Sequence, residues 1–230
     1  MLVVIILAKT KTTMLVQNQQ PKVSQNEFLN MSKFIVTENF KHHTDNNSST
    51  NYKNEISSVY EEEVSYSNNS KIFVIKENSE SILGTIRVLK WDYISMLPIQ
   101  KMFGINPLMC TNGNSINEIW HIGRFAIKQG VRDINLLKKL MVCAIMPVCM
   151  HKDNIAFAEC DAKLLRVMSL MGIETKIVGE SINYLGSETI PVSMSYDGLI
   201  NFYQENKHLI GESKDFNELP KVNVLFNDVV

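Results

Sequence analysis

The tract Glu118–Ile127 (EIWHIGRFAI) constrains the fold more than any other part of the chain. Its apolar, β-branched residues predict an interior strand, yet Glu118, His121 and Arg124 interrupt it. Burying such groups unpaired costs several kcal/mol, so they pair with one another or face a cavity. In an unbroken strand Glu118, Trp120, Ile122 and Arg124 share one face, with Glu118 and Arg124 a candidate ion pair. His121, Gly123 and Phe125 then share the other. Gly123 in mid-strand predicts a bulge or a close backbone approach, and a bulge there re-aims His121 or Arg124.

The flanking pattern predicts what surrounds this strand. Lys71–Lys76 and Ile82–Leu89 are β-branched runs separated by ENSES, an antiparallel hairpin signal. Asp133–Met150 repeats apolar residues at helical spacing, with Pro147 shortening its last turn. Ile155–Glu159 reads as a short buried strand, and Ala162–Met171 as an amphipathic helix stopped by Gly172. Thr175–Val178 and Ile190–Met194 complete the strands. The order strand, strand, strand, helix, strand, helix, strand, strand predicts an α/β (α+β) mixed sheet with helices on its faces.

Before that core, residues 39–55 (NFKHHTDNNSSTNYKNE) read as a solvated loop, with His42 and His43 inside it and no metal site. Residues 56–66 read as a short helix carrying Val59 and Tyr60 inward. The expected division is residues 1–55 as an N-terminal strand or helix plus flexible Asn/Ser-rich loop, and 56–230 as the main domain. MLVVIILA at the start falls well short of the roughly 20 apolar residues of a spanning helix. It reads as an opening strand, with Met14 and Met31 as alternative starts, and no transmembrane segment is expected. Formal charge is −1, which gives no field toward nucleic acid. Cys110, Cys143, Cys149 and Cys160 show no metal-ligand or C-x-x-C spacing, so they read as reduced thiols of a cytoplasmic protein.

Three motifs in order resemble the acyl-homoserine-lactone synthases and the related N-acyl amino acid synthases, branches of the GNAT superfamily. The family strand pattern W-E-x-S-R-F-x-V is similar to Trp120-His121-Ile122-Gly123-Arg124-Phe125-Ala126-Ile127. Upstream, G-x-x-R-L-L and a following Met-Leu pair match Gly84-Thr85-Ile86-Arg87-Val88-Leu89 and Met96-Leu97. Downstream come Gly172-Ile173, Val178-Gly179, Tyr184, Gly186 and Ile190-Pro191-Val192, so the resemblance spans about residues 71–195.

The resemblance implies a GNAT-like, mostly antiparallel sheet whose central strand splays to admit a pantetheine arm. Backbone N–H groups near Phe125, Ala126 and Ile127 would polarise the thioester carbonyl. An attacking amine must lose a proton. The family has Glu where this chain has His121, which implies His121 as base and Glu118 as reserve; a core histidine bonded to a backbone carbonyl is the other reading. Arg124 and Arg87 would hold an acceptor carboxylate. Trp120 and Phe125 are either acyl-pocket lining or plain core.

The implied activity is an N-acyltransferase moving a fatty acyl group from a carrier thioester to an amino acid or similar small amine, as in autoinducer synthesis. Alternatives are an ornithine- or glycine-lipid-type acyltransferase and a non-catalytic acyl-carrier- or lipid-binding module. The N-terminal Arg and Trp that help the lactone synthases hold S-adenosylmethionine are missing, which favours an amino acid or other amine. The loop Gln129-Gly130-Val131-Arg132 lacks the family's Q-x-x-G-x-G, which favours acyl carrier protein (ACP) over coenzyme A (CoA) as donor. Lys128, Arg132, Lys138 and Lys139 would form the docking patch for that acidic partner, or simply a solvated helix face.

Overall fold

The computed structural model describes residues 25–43, 52–77, 81–111 and 115–210, with the backbone alone of 2–6, 13–17 and 223–224. Strands β1 (Leu2–Ile6) and β2 (Thr13–Gln17) precede helices α1 (Gln25–His43) and α2 (Lys53–Tyr66). The hairpin β3 (Ser70–Lys76) and β4 (Ile82–Lys90) leads to α3 (Pro98–Phe103) and β5 (Ile119–Ile127). Then follow α4 (Ile134–Ile145), β6 (Ile155–Asp161), α5 (Ala162–Leu170), β7 (Lys176–Ile177), β8 (Ile182–Tyr184), β9 (Ser187–Ser195), α6 (Tyr196–Asn206) and β10 (Asn223–Val224).

The described strands join one sheet in the order β1-β2-β3-β4-β5-β6-β9-β7, with β10 on β3 and β8 on β9. Its described pairings are antiparallel apart from β5–β6 and β3–β10. Helices cover both faces. On one, Leu136, Leu140 and Cys143 of α4, Met168 of α5 and Phe202 of α6 bury against Ile86, Trp120, Ile122 and Ala156. On the other, Phe28, Met31 and Ile35 of α1 pack on Ile72, Val74 and Ala126, while Tyr66 of α2 packs with Leu89, Ile119 and Phe157.

Helix ends follow local chemistry. Asp133 accepts from the Asn135 amide and Asp161 from the Leu164 amide at 2.7 Å, so each caps the helix that follows it. Pro147 ends the α4 region in a short 3-10 turn, and Gly172 stops α5 in the left-handed conformation at φ +78°.

The expected loop over 39–55 is corrected at both ends. Residues 39–43 form the last turn of α1, where Asn39 bonds the Ile35 carbonyl and Lys41 pairs with Glu38 one turn back. Phe40 stacks on Tyr52 with ring centroids 4.0 Å apart, and α2 already begins at Lys53. Residues 44–51 lie outside the described residues. Helices α3 and α6 were not expected from the pattern. Gln100 bonds back to the Leu97 amide behind Pro98, and Ser195 caps α6, so local capping rather than a long apolar stripe defines both.

Candidate active site

Strand β5 stays paired with β4 as far as Gly84–Ile127, and β6 with β9 as far as Asp161–Thr189. Between themselves, β5 and β6 pair only from Ile119–Ile155 to Ile122–Ala158. Beyond that point the strands part, and Phe125–Ile127 have no ladder partner on the β6 side. A cavity of about 350 Å³ opens in the gap, lined by Gly123–Ile127 on one edge and Glu159–Asp161 on the other. Ile35 and His42 of α1 and Leu164 of α5 close its flanks. A smaller hollow of about 30 Å³ shares Gly123, Phe125, Glu159 and Leu164 with it and runs under the sheet to Ala158, Met141, Met168 and Met194.

A bulge shapes the β5 edge. Arg87 lies opposite Gly123 and Thr85 opposite Ala126, so Arg124 and Phe125 together face the single residue Ile86. Arg124 absorbs the irregularity at φ +55°, and its carbonyl accepts from the Thr85 hydroxyl at 2.8 Å. The extra residue inverts the alternation. Trp120 and Ile122 face α4, whereas Ala126, of the same parity, packs under α1. Arg124 is thereby carried to the face of His121, toward α2.

There the charges interlock. Glu63 of α2 is fully buried; its Oε1 accepts from Arg87 Nη1 at 2.5 Å and from Arg124 Nε at 2.7 Å. Arg124 Nη2 donates to Glu62, whose other oxygen is 3.6 Å from Lys101. Burial pushes the Glu62 carboxyl up, but Arg124, Arg87 and Lys101 outweigh it and hold its pKa below the ordinary carboxylate range. For Arg124 burial pulls down, and Glu63 and Glu62 reverse the sign, so the guanidinium stays charged.

His121 continues the chain of contacts at zero exposure. Its Nδ1 lies 3.3 Å from Arg87 Nη2 and its Nε2 lies 2.9 Å from both Glu159 oxygens. A guanidinium can only donate, so Nδ1 accepts; the ring proton sits on Nε2 and is donated to Glu159. Glu159 in turn lines the cavity at the point where the strands part. Gly123 makes room for this: a Cβ there would stand 3.0 Å from His121 Cε1 and 3.3 Å from Arg87 Nη2.

No protein-family model matches the chain, and no curated protein matches it by sequence. Solved structures do share its architecture. The N-acyl amino acid synthase FeeM from uncultured soil microbes superposes with a TM-score of 0.54 at 14% identity, over 76% of this chain and 94% of that one. The acyl-homoserine-lactone synthase LasI gives 0.50 at 14% identity, over 83% and 95%. The fold is GNAT-like.

Within this GNAT-like sheet the residues singled out from the sequence separate into two groups. Arg87, Arg124, Phe125, Ala126 and Ile127 line the cavity, and His121 lies directly behind Glu159. Glu118 does not join them: it pairs with Lys90 rather than Arg124, because the bulge turns Arg124 to the opposite face. Trp120 is buried against α4 and lies outside the cavity wall, with Lys90 above its ring. The backbone-carbonyl partner expected for a core His121 is replaced by the Glu159 carboxylate. Lys128 bonds Ser81, Arg132 is exposed, and Lys138 and Lys139 are half-buried on α4, beside Val131 and Leu137, which line the cavity. His42 sits in the last turn of α1, its Nε2 2.9 Å from the Ile127 carbonyl oxygen. All four cysteines are free, and burial pushes the Cys149 and Cys160 thiols up to about 12.

Glu62, Glu63 and Glu159 were not singled out. The signal was present: Val59, Glu63 and Tyr66 share one helical face, and Phe157 and Glu159 share one strand face, each placing an acid beside buried apolar residues.

Proposed function

We propose that the protein is an N-acyltransferase that moves a fatty acyl group from a carrier thioester to a small amine or amino acid. The observation that carries this reading is the parting of β5 from β6 around a cavity with Glu159 at its apex, hydrogen-bonded by His121. A thioester entering the gap would place its carbonyl against the unpaired β5 edge at Phe125–Ile127, whose N–H groups polarise it. The amine nitrogen attacks the carbonyl carbon and its proton passes to Glu159. Collapse of the tetrahedral species breaks the C–S bond, and Glu159 returns the proton to the leaving sulfur. His121, with its free lone pair committed to Arg87, serves as the positioning donor of Glu159. That moves the proton-acceptor role from His121, where the family resemblance put it, to the neighbouring strand. The acyl chain would run into the apolar hollow past Phe125 toward Met141, Met168 and Met194.

The donor is read as carrier-bound rather than nucleotide-bound. A loop that opens a helix ordinarily offers backbone N–H groups to an anion such as a diphosphate. Here the Gln129 N–H is taken by Glu38 Oε2 at 2.7 Å, and Asp133 caps α4. Two carboxylates thus hold the place a diphosphate would need. Outside it, residues 128–139 carry four cations against the single acid Asp133, a patch suited to an acidic carrier protein. The autoinducer role, the cytoplasmic location and the docking of acyl carrier protein on Lys128, Arg132, Lys138 and Lys139 belong to this proposal. Purified protein given acyl-ACP, acyl-CoA and an amine panel is expected to yield an amide by mass spectrometry, faster from acyl-ACP. Free fatty acid as the sole product would sink the reading.

A further inference from the structure

The last turn of α1 brings a hydrogen-bond acceptor to the mouth of the gap. His42 lines the cavity, and its Nε2 lies 2.9 Å from the Ile127 carbonyl oxygen. A carbonyl can only accept, so the ring proton sits on Nε2 and Nδ1 is left as an acceptor. Among the described residues nothing donates to that nitrogen. The ring is held from both sides of the gap. On the β5 side the Lys128 N–H is taken by the Leu83 carbonyl. Backbone groups alternate in direction along a strand, so Ile127 turns its own N–H and C=O toward the gap. On the other side Lys163, in the first turn of α5, donates to the His42 carbonyl at 3.2 Å. One turn back on α1, Glu38 accepts from the Gln129 amide at 2.7 Å. The imidazole is therefore fixed where anything entering between β5 and β6 must pass it.

The spacing along the gap says what His42 would meet. Ile122 pairs with Ala158, so Gly123 and Glu159 stand level where the strands part. Ile127 lies four residues further along β5, roughly 13 Å at the rise of a strand. The contacts from Glu159 to an amine, and from the amine to a thioester carbonyl, take up about 6 Å of this. An extended cysteamine unit, which joins the sulfur of a pantetheine-type arm to its first amide, spans most of the remainder. We infer that His42 is a positioning residue for the acyl donor, its Nδ1 accepting the N–H of the amide nearest the sulfur of that arm. This rests on the acyltransferase reading above and adds to it a side chain that reads the carrier's arm rather than its protein surface.

Two S-alkyl pantetheine thioethers, which cannot transfer an acyl group, make the deciding pair in calorimetric titration. One keeps the cysteamine amide, and its counterpart carries an ester oxygen in place of that N–H. Wild-type protein is expected to bind the amide about tenfold more tightly than the ester, the effect of one hydrogen bond. His42→Phe can neither donate nor accept, and it is expected to lower that ratio to near one. A merely structural His42 would shift both affinities together and leave the ratio in place. A wild-type ratio near one, or an unmoved ratio in His42→Phe, would overturn the inference. Amide formation from acyl-ACP, followed in parallel, separates the two levels. The expected binding ratios with no amide formed would keep the arm site and sink the acyltransferase reading, whereas binding of neither thioether overturns the inference itself.

Discussion

At the scale of single residues, the proton inventory of His121 decides how the site works. Its Nδ1 faces a group that can only donate, so its remaining proton is directed at Glu159. Glu159→Gln is therefore expected to lower kcat by about 10²–10⁴-fold while leaving the melting temperature near wild type. His121 acts through Glu159, and its variants separate positioning from bulk. His121→Gln retains a donor and should keep more activity than His121→Ala. In His121→Ala the carboxylate loses the donor that fixes its orientation at the cavity. The kcat should then fall while the amine KM stays near wild type, and a kcat equal to that of His121→Gln would refute the positioning role.

Elements bring these residues together through two local devices, the acidic face of α2 and the bulge of β5. Glu62 belongs to the first, and its depressed pKa is a statement about stability. A carboxyl held below its unfolded value contributes stability above the ordinary carboxylate range and loses it as pH falls through the folded pKa. Glu62→Gln should therefore flatten the acid limb of urea-unfolding stability while changing its pH 7 midpoint less than removal of fully buried Glu63. A second element contact is testable at α6, where Gly198 packs against the chain after α5. A Cβ on Gly198 would fall 2.8 Å from the Glu174 carbonyl oxygen, a backbone atom that cannot swing aside. Gly198→Ala is expected to cost about 1–3 kcal/mol of unfolding free energy, read from denaturant midpoints at constant slope.

Across the whole molecule, the sheet is one continuous surface that is deliberately unzipped at one seam. Helices α1 and α2 supply acids to one face, α4 and α5 supply apolar and Met side chains to the other, and the seam connects the two. Ala158 stands at the base of that seam, where it lines the apolar hollow. Ala158→Leu fills this space and is expected to reduce transfer of long acyl chains by about tenfold or more, with short chains affected less. Chain-length profiles of amide products would check it; parallel losses for all lengths would place the acyl chain elsewhere.

Much of this was legible from residue order alone. Period-2 runs located β3, β4, β5 and β6, helical spacing located α4 and α5, and Gly123 within an apolar strand announced an irregularity that the structure places at Arg124 and Phe125. These signals are local: alternation, capping and the conformational demands of glycine are carried by neighbours in sequence. What the tertiary structure alone decided is partnership. The inverted parity after the bulge sends Arg124 to Glu62 and Glu63, 61 or more residues away, and leaves Glu118 to Lys90. Glu159 meets His121 only because β5 and β6 are parallel neighbours in register, a pairing that spans 38 residues and a crossover helix. Charge pairing in the interior depends on distances of a few ångströms across separate elements, and sequence spacing does not encode them.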